Sequence, residues 1–203
     1  NLIKQKGDRV LDFGCGTGAL IRLVNRATGV APVGVEMDPN LRRHCTASGH
    51  EVLHSIKEFD KKFHLVFSSN VLEHIEDDIS TLEEIKAAMV EDGCLALFLP
   101  AFPLLWSSMD ARVGHYRRYT RKSIESALSS VGFQVEYSRY CDSVGFLLSL
   151  VYKFLPSSDG EPSLASLRIY DRIFLPMSKI LDGIVGRFIG KNVFVVARRI
   201  QSQ

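Results

Sequence analysis

The sequence predicts an α/β protein built on a doubly wound sheet of about seven strands, the last of them antiparallel. Short apolar runs alternate with segments whose apolar residues recur at helical spacing, which is typical of a parallel sheet covered by helices. A glycine-rich turn joins the first run to the first helical segment. A β-branched run at 192–199 follows about fifty residues of mostly helical pattern. We therefore expect a single domain, residues 1–203, with a helical insert at about 142–190.

The first strand, residues 9–13, leads into a turn that has glycine at alternate positions, Gly14, Gly16 and Gly18. Alternating glycines allow backbone conformations that other residues avoid, and they let a flat ligand lie against the main chain. The helix predicted from residue 19 offers free N–H groups at its start. Asp12 is expected at the carboxyl end of the strand, where its carboxylate would repel a pyrophosphate and attract an ammonium group.

Residues 10–18, Val-Leu-Asp-Phe-Gly-Cys-Gly-Thr-Gly, resemble the first motif of the class I S-adenosylmethionine-dependent methyltransferases of the type 11/12-like kind. The resemblance implies S-adenosyl-L-methionine as the cofactor and a Rossmann-like sheet. In the family this loop holds the methionine part of the cofactor, here through Asp12, Gly14, Cys15, Gly16 and Gly18. Asp12 would meet the amino group directly or through water.

A dinucleotide fingerprint is satisfied by the same stretch, since Gly14 and Gly16 are followed by Ala19 at the third position of that pattern. An NAD(P)-dependent oxidoreductase of the Rossmann type therefore remains the alternative. Asp12 and the apparently antiparallel last strand speak against it.

The second strand, residues 31–36, ends in an acidic residue, Glu36. In both dinucleotide and adenosylmethionine binders a carboxylate at this point accepts hydrogen bonds from the two ribose hydroxyls. Asp38 and Pro39 suit the N-cap and the first position of the next helix. After a short third strand, 51–54, comes the place where the family contacts adenine, although the usual acidic residue is missing. The cofactor residues expected in this stretch are Glu36, Met37, Ser55 and Ile56.

The fourth strand, residues 63–70, is apolar until its carboxyl end, as expected for a central parallel strand that enters a binding crevice. It continues as Asn-Val-Leu-Glu-His, residues 70–74, which resembles the family's fourth motif. The resemblance places Asn70 near the reactive methyl group, with His74 beside it, and makes Asn70 and Val71 cofactor residues. A histidine at such a junction can equally well bond the neighbouring backbone.

The next helix is capped by Asp77 and Asp78, and its apolar face consists of Ile79, Leu82, Ile85 and Met89. Asp92 and Gly93 predict a plain turn into the fifth strand, 94–100. The loop that follows, 101–119, lies at the carboxyl edge of the sheet, where substrates enter. Its cations and aromatic rings suit an anionic or planar group, and the candidate substrate residues are Trp106, Tyr116, Arg117, Arg118 and Tyr119. The alternative is a solvated basic turn before the helix that Thr120 caps.

Methyl transfer from a sulfonium needs mainly an aligned acceptor, because the cofactor is already a potent donor. A general base would help if the acceptor is a hydroxyl, and the candidates are His115 first and His74 second. The acceptor itself is an unidentified small-molecule or lipid-like, amphiphilic compound.

The insert follows a helix at 123–131 and a sixth strand at 133–140. It contains two apolar segments, 144–155 and 164–189, separated by a turn at 156–160, and Pro176 is expected to kink the second. Three interpretations remain open: a cap packed on the domain, the wall of an apolar pocket, or an interfacial membrane contact. Packing is favoured for most of its apolar residues, which are Leu167, Tyr170, Ile173, Phe174, Met177, Ile180, Leu181, Ile184 and Phe188. A third functional alternative is thus a non-catalytic cofactor-binding or membrane-docking module.

The formal net charge of +2 does not indicate a nucleic-acid partner. The cysteines lack metal-ligand spacing, so we expect no metal and free thiols in a reducing compartment: Cys15, Cys45, Cys94 and Cys141. Neither a signal peptide nor a membrane span is recognisable. We therefore expect a cytoplasmic protein that could touch a membrane through the insert, and a covering N-terminal segment, usual in the family, upstream of Asn1.

Overall fold

One mixed sheet organises the chain in the computed structural model, which describes residue 2, residues 7–154, residue 168 and residues 170–200. Its order is β3-β2-β1-β4-β5-β7-β6. Strands β1 to β5 run parallel, whereas β7 lies antiparallel between β5 and β6. The predicted doubly wound, Rossmann-like class with an antiparallel last strand is confirmed. The strands are β1 Val10–Phe13, β2 Val33–Val35, β3 Val52–Leu53, β4 Phe63–Ser69, β5 Met89–Pro100, β6 Phe133–Cys141 and β7 Asn192–Arg199.

The helices begin where the sequence provides capping groups. The Asp38 carboxylate accepts hydrogen bonds from the amides of Asn40 and Leu41, and Asp77 and Thr120 cap the later helices in the same way. These three predicted caps are confirmed. The helices are α1 Ala19–Thr28, α2 Pro39–Ala47, α3 Asp78–Ala87, α4 Ser108–Arg112, α5 Arg121–Ser130, α6 Ser143–Phe154 and α7 Leu175–Val185.

The main core lies between the central strands and the helices α3 and α5. Leu95 and Leu97 of β5 are 1% exposed, and Leu82 of α3 and Leu128 of α5 are completely buried. Three of the four cysteines are also buried, and all four are free thiols, as expected. This buried layer holds the strand ends in a fixed arrangement.

Strand β5 corrects two predictions. It begins at Met89, which pairs with Phe63 and is buried in the sheet rather than on the face of α3. The predicted turn at Asp92 and Gly93 lies inside β5 as an irregularity of the ladder, with Asp92 at a positive φ of 58°. Ile79, also assigned to the apolar face of α3, is 38% exposed. The helical period assigned Met89 to α3 because α3 and β5 follow each other without a polar linker.

The loop at 101–119 has structure of its own, including a 3₁₀ turn at Pro103–Leu105 and the short helix α4. In α4, Asp110 accepts a hydrogen bond from the Ser107 amide and so closes a capping box. This ordering fixes the loop against the carboxyl edge of the sheet.

The insert consists of α6, a π-helical turn at Tyr170–Phe174 and α7. Pro176 lies in the first turn of α7, immediately after the π turn, so the irregularity is where the kink was expected. Packing was the wrong interpretation for much of its apolar surface, because Ile180, Ile184 and Phe188 are 75%, 77% and 70% exposed. The predicted turn at 156–160 and Leu167 lie outside the described residues. No helix in the described part of the chain is long and apolar enough to cross a bilayer.

We expect Leu97→Ala to lower the free energy of unfolding by about 2–5 kcal/mol, because it leaves a cavity in the buried centre of β5. Urea denaturation monitored by circular dichroism measures the loss. Leu23→Ala, at a side chain that is 61% exposed on α1, is the matched control and should change the value by less than about 0.5 kcal/mol. Equal effects of the two variants would contradict this placement of the core.

Candidate active site

The carboxyl ends of β1, β2 and β4 are tied together at one edge of the sheet. The Ser68 hydroxyl donates a hydrogen bond to the Phe13 carbonyl at 2.7 Å. The amides of Gly14 and Cys15 donate to the Val35 carbonyl at 2.8 and 2.9 Å. Strand order reverses between β1 and β4, and such a switch point opens a crevice for a ligand.

The glycine turn approaches the Asn-Val-Leu-Glu-His segment closely. Gly14 has a φ of +79°, and a Cβ atom there would lie 2.3 Å from a methyl group of Val71. Only glycine satisfies both restrictions at that position. At Gly16, by contrast, an added Cβ would meet no protein atom within 4 Å. The turn is therefore closed on the side of Val71 and open where Gly16 faces the crevice.

Asp12 lies under this turn as a buried, uncompensated carboxylate. It is 1% exposed, and neither of its oxygens has a hydrogen-bond partner. Burial, together with the nearby negative charge of Glu36, raises the pKa of Asp12 to about 7. A carboxylate in this state is suited to an ammonium group or another donor supplied by a ligand.

Glu36 is held at the end of β2 by two backbone donors. Its carboxylate accepts hydrogen bonds from the Gly16 amide at 2.8 Å and the Asp38 amide at 2.9 Å. The side chain therefore stands at the rim of the glycine turn, and its role in binding a ribose stays a prediction. Met37, next to it, is 70% exposed.

The segment expected to contact adenine begins a 3₁₀ turn, Ile56–Glu58, that Ser55 caps. Ile56 is 3% exposed and belongs to the main core. Its side chain packs in the core and is not available to stack on a base, which argues against the expected cofactor contact through the Ile56 side chain. A contact to adenine here would have to use Ser55 or the backbone.

A second polar cluster is centred on Asp110. Arg118 donates to both carboxylate oxygens, from Nε at 2.8 Å and Nη2 at 3.0 Å, and His115 Nδ1 lies 2.8 Å from Oδ1. Burial raises the pKa of Asp110, but hydrogen bonds from Arg118, Ser107 and His115 outweigh it and leave the pKa below its usual range. Asp110 therefore stays ionised and holds the imidazole of His115 in one orientation.

Glu73 lies on the other side of His115. It is completely buried, neither carboxylate oxygen has a hydrogen-bond partner, and Oε1 is 3.9 Å from His115 Nε2. Burial raises the pKa of Glu73 to about 7. The ring of His74 packs edge-on against that of His115, with centroids 4.6 Å apart, and burial and the neighbouring imidazole lower the pKa of His74. Both predicted catalytic histidines thus share one cluster.

Glu73, His74 and His115 could also hold a metal ion. Each offers one ligand atom, and these atoms lie within 4.8 Å of one another. Two imidazoles and one carboxylate form a donor set that several divalent metals accept. The sequence analysis expected no metal, and that expectation stays a prediction.

The five candidate substrate residues occupy different environments. Arg118 and Tyr119 are committed to protein partners, Arg118 to Asp110 and the Tyr119 hydroxyl to Asp78 at 2.8 Å. Arg117 also binds Asp78, at 2.8 Å. Trp106 is half-buried, whereas the side chain of Tyr116 is 53% exposed and its amide donates to the Glu73 carbonyl. Trp106 and Tyr116 remain the better candidates to contact a substrate.

Comparison with known proteins assigns the family. Residues 2–138 match the family model described as a methyltransferase domain. The chain belongs to the class I S-adenosylmethionine-dependent methyltransferases. A ubiquinone biosynthesis O-methyltransferase of Actinobacillus pleuropneumoniae serotype 5b is 30% identical over 104 residues, and the match covers 44% of that protein. The match therefore covers less than half the length of that relative.

Two solved structures illustrate the likeness in fold. An S-adenosylmethionine-dependent methyltransferase from Mesorhizobium loti is 17% identical with a TM-score of 0.63, covering 98% of this methyltransferase and 94% of that chain. The phosphoethanolamine N-methyltransferase 2 of Haemonchus contortus, in complex with S-adenosyl-L-methionine, is 22% identical with a TM-score of 0.63. The match covers 98% of this chain and 50% of that chain. At these identities the likeness concerns the fold alone.

The sequence analysis missed the roles of Glu73 and Asp110 at this site. Glu73 was present in the quoted motif, but nothing in the spacing distinguishes a buried glutamate from an exposed one. Asp110 is five residues before His115 and eight before Arg118, and only the folded loop brings the three together. The single available signal was that the loop contains an acid among its cations.

We expect Asp12→Asn to stabilise the ligand-free methyltransferase more at pH 8 than at pH 5. Burial raises the folded pKa of Asp12 to about 7, so between about pH 4 and pH 7 the unfolded chain has lost this proton while the folded protein keeps it. The stability cost of Asp12 therefore grows across that range, is partial at pH 5 and is complete at pH 8. At pH 8 the variant should raise the free energy of unfolding by at most about 4 kcal/mol, because the pKa of Asp12 differs by about three units between the folded and unfolded chain.

Urea denaturation at the two pH values measures this difference. Asp60→Asn, at an exposed carboxylate, is the control and should give the same small change at both. An Asp12→Asn effect that does not depend on pH would show that Asp12 is not an uncompensated acid.

Proposed function

We propose that this chain transfers the methyl group of S-adenosyl-L-methionine to a hydroxyl of a small-molecule or lipid-like acceptor. The observation that supports it best is the unpartnered carboxylate of Asp12, 1% exposed beneath an open glycine turn. An ammonium group satisfies such a carboxylate, whereas a pyrophosphate would be repelled by it.

The residues at the carboxyl edge fit this cofactor. Asp12 would meet the amino group, and the turn formed by Gly14, Cys15, Gly16 and Gly18 would lie against the methionine part. The carboxylate of Glu36 would accept from the ribose hydroxyls in place of the two amides that it now binds. Asn70 and Val71 would close the other side, and Met37 and Ser55 would border the adenine.

Activation of the acceptor is assigned to His115. When bound, the cofactor supplies an electrophilic methyl group on its sulfonium. The Asp110 carboxylate would accept a hydrogen bond from Nδ1–H of His115, 2.8 Å away, which leaves Nε2 free of a proton and able to accept the one from the acceptor hydroxyl. Glu73, 3.9 Å from Nε2, stabilises the imidazolium that results. His74 is the alternative base.

The acceptor is proposed to be planar and partly apolar. Trp106 and Tyr116 in the entrance loop provide flat surfaces, and the Lys153 ammonium of the apolar insert donates a hydrogen bond to the Leu104 carbonyl of the same loop. The relative named above is an O-methyltransferase by its name, which agrees with a hydroxyl as the accepting group.

The two alternatives are less well supported. A nicotinamide-dependent oxidoreductase would place a pyrophosphate near Asp12, and the family assignment does not favour it. A non-catalytic module would not need the ordered Asp110, His115 and Glu73 cluster.

We also propose that the protein works in the cytoplasm and touches a membrane peripherally through the exposed face of α7.

We expect S-adenosylhomocysteine to bind the purified chain, and Asp12→Ala and Glu36→Ala each to weaken that binding about ten- to hundred-fold. Each variant removes a charged acceptor for ligand N–H or O–H groups. Isothermal titration calorimetry measures the affinity, with Glu51→Ala at an exposed carboxylate as the control. Unchanged binding in both variants would refute the proposed cofactor site, and NAD would be titrated next.

We expect His115→Asn to lower kcat about 10²- to 10⁴-fold, while the KM for S-adenosylmethionine changes little, because a general base acts only in the transition state. The assay follows S-adenosylhomocysteine release with a panel of phenols, with and without an alkyl tail. His44→Asn, at an exposed position on α2, is the control.

A full rate in His115→Asn would transfer the role to His74, tested in the same way. Chelation with EDTA should leave the wild-type rate unchanged, because His115 needs no cation to accept a proton. A loss on chelation that Mg²⁺ restores would show instead that Glu73, His74 and His115 hold a required metal.

A further inference from the structure

A cavity of about 390 Å³ lies away from the candidate active site, between the middle of β6 and the end of α7. Three arginines from separate elements line it: Arg121 at the start of α5, Arg139 of β6 and Arg187 after α7. Three cations around one cavity of this size favour an anionic ligand, since guanidinium groups bind phosphate in a two-point fork.

The acidic groups near this cavity leave its charge positive. Glu125 pairs with Arg121 at 3.5 Å, and the same guanidinium donates to the Ser138 hydroxyl and the Arg187 carbonyl. Both oxygens of Asp182 accept backbone hydrogen bonds, from the amides of Asp142 and Ser143 at 2.7 and 2.9 Å. No carboxylate among the described residues forms an ion pair with Arg139 or Arg187.

The segment that contains α7 and β7 is rich in basic residues, one of which, Arg198, is paired with Glu136. Residues 168–200 contain seven lysines and arginines and only two acidic residues, while the complete chain has a net charge of only +2. This segment therefore attracts an anionic surface from a distance as well as a single anion at the cavity.

The cavity continues into an exposed apolar face that is formed by α7 and the residues just after it. Ile184 and Phe188 line the cavity and are also 77% and 70% exposed. The face extends to Ile180, 75% exposed, and Met177, 48% exposed. A contiguous apolar surface rimmed by cations is characteristic of a helix that lies in a membrane interface.

A second copy of this chain is a poor occupant of the surface. A two-fold contact centred on the cavity would bring Arg139 and Arg187 of one copy close to the same residues of the other, and like charges that face each other across an interface oppose association. A phospholipid supplies an anionic phosphate for the cavity and acyl chains for Ile184 and Phe188.

We propose that the cavity between β6 and α7 binds the headgroup of an anionic phospholipid while Ile180, Ile184 and Phe188 insert into the bilayer interface. This deepens the membrane contact proposed above and is independent of methyl transfer. The Lys153 ammonium, at the end of α6, donates to the Leu104 carbonyl at 2.6 Å and so joins the insert to the entrance loop. If the proposed function holds, docking places that loop where an amphiphilic acceptor leaves the bilayer.

Co-sedimentation with vesicles tests the proposal. The chain should bind vesicles of phosphatidylcholine mixed with phosphatidylglycerol at physiological ionic strength and bind vesicles of phosphatidylcholine alone at least about ten-fold more weakly. Equal binding to both vesicles, or binding to neither, would overturn the proposal.

Two variants separate the headgroup site from the apolar face. Arg187→Glu should weaken binding to the anionic vesicles about ten-fold or more, and Phe188→Ser should weaken it as well. The controls are at exposed positions on α1: Arg26→Glu makes the same change of charge as Arg187→Glu, and Leu23→Ser removes an apolar side chain as Phe188→Ser does. Both controls should bind the vesicles normally. Normal binding by Arg187→Glu would overturn the headgroup site.

Titration with S-adenosylhomocysteine keeps this result distinct from the proposed function. Both surface variants should bind it like the wild type, which also shows that they are folded. Asp12→Ala should sediment with the vesicles like the wild type even though its affinity for S-adenosylhomocysteine is reduced.

Discussion

The close approach of Gly14 to Val71 is the contact on which the carboxyl edge of the sheet depends. With a Cβ position only 2.3 Å from a Val71 methyl group, the glycine turn and the segment after β4 have one relative arrangement. The hydrogen bonds from the Ser68 hydroxyl to the Phe13 carbonyl and from the glycine turn to the Val35 carbonyl hold the same strand ends together. Since Asp12 precedes Gly14 and Glu73 follows Val71, this one contact positions both polar clusters of the site.

The buried acids of the site fall into two groups. Asp110 receives hydrogen bonds from Arg118, Ser107 and His115, so it is ionised and rigid without any ligand. Asp12 and Glu73 are buried with no partner, so their carboxylates destabilise the folded protein at neutral pH. A buried acid of this kind is retained where a bound group or a protonated neighbour compensates it.

The sequence was sufficient for the order of the elements, because strand and helix periods differ and the caps at Asp38, Asp77 and Thr120 have local signals. It was insufficient at Met89, where a helix runs into a strand and the period is ambiguous. The resemblance located the turn that contains Gly14 and Gly16. The environments of Ile56, Arg118 and Tyr119 depend on which side of a loop faces the core, and no short-range pattern encodes that.

Among the described residues, several hydrogen bonds between the insert and the rest of the fold lie close to Asp142. The Asp142 carboxylate binds the Ser178 hydroxyl, the Asp142 carbonyl accepts from the Lys191 amide, and Asp182 closes the start of α6. The final strand, β7, then pairs with β5 and β6 along its whole length without relying on the insert. Substitutions between Asp142 and Lys191 therefore need not disturb the pairing of β7. Such an arrangement allows the insert to diversify, or to be exchanged between homologues, faster than the sheet that carries the site.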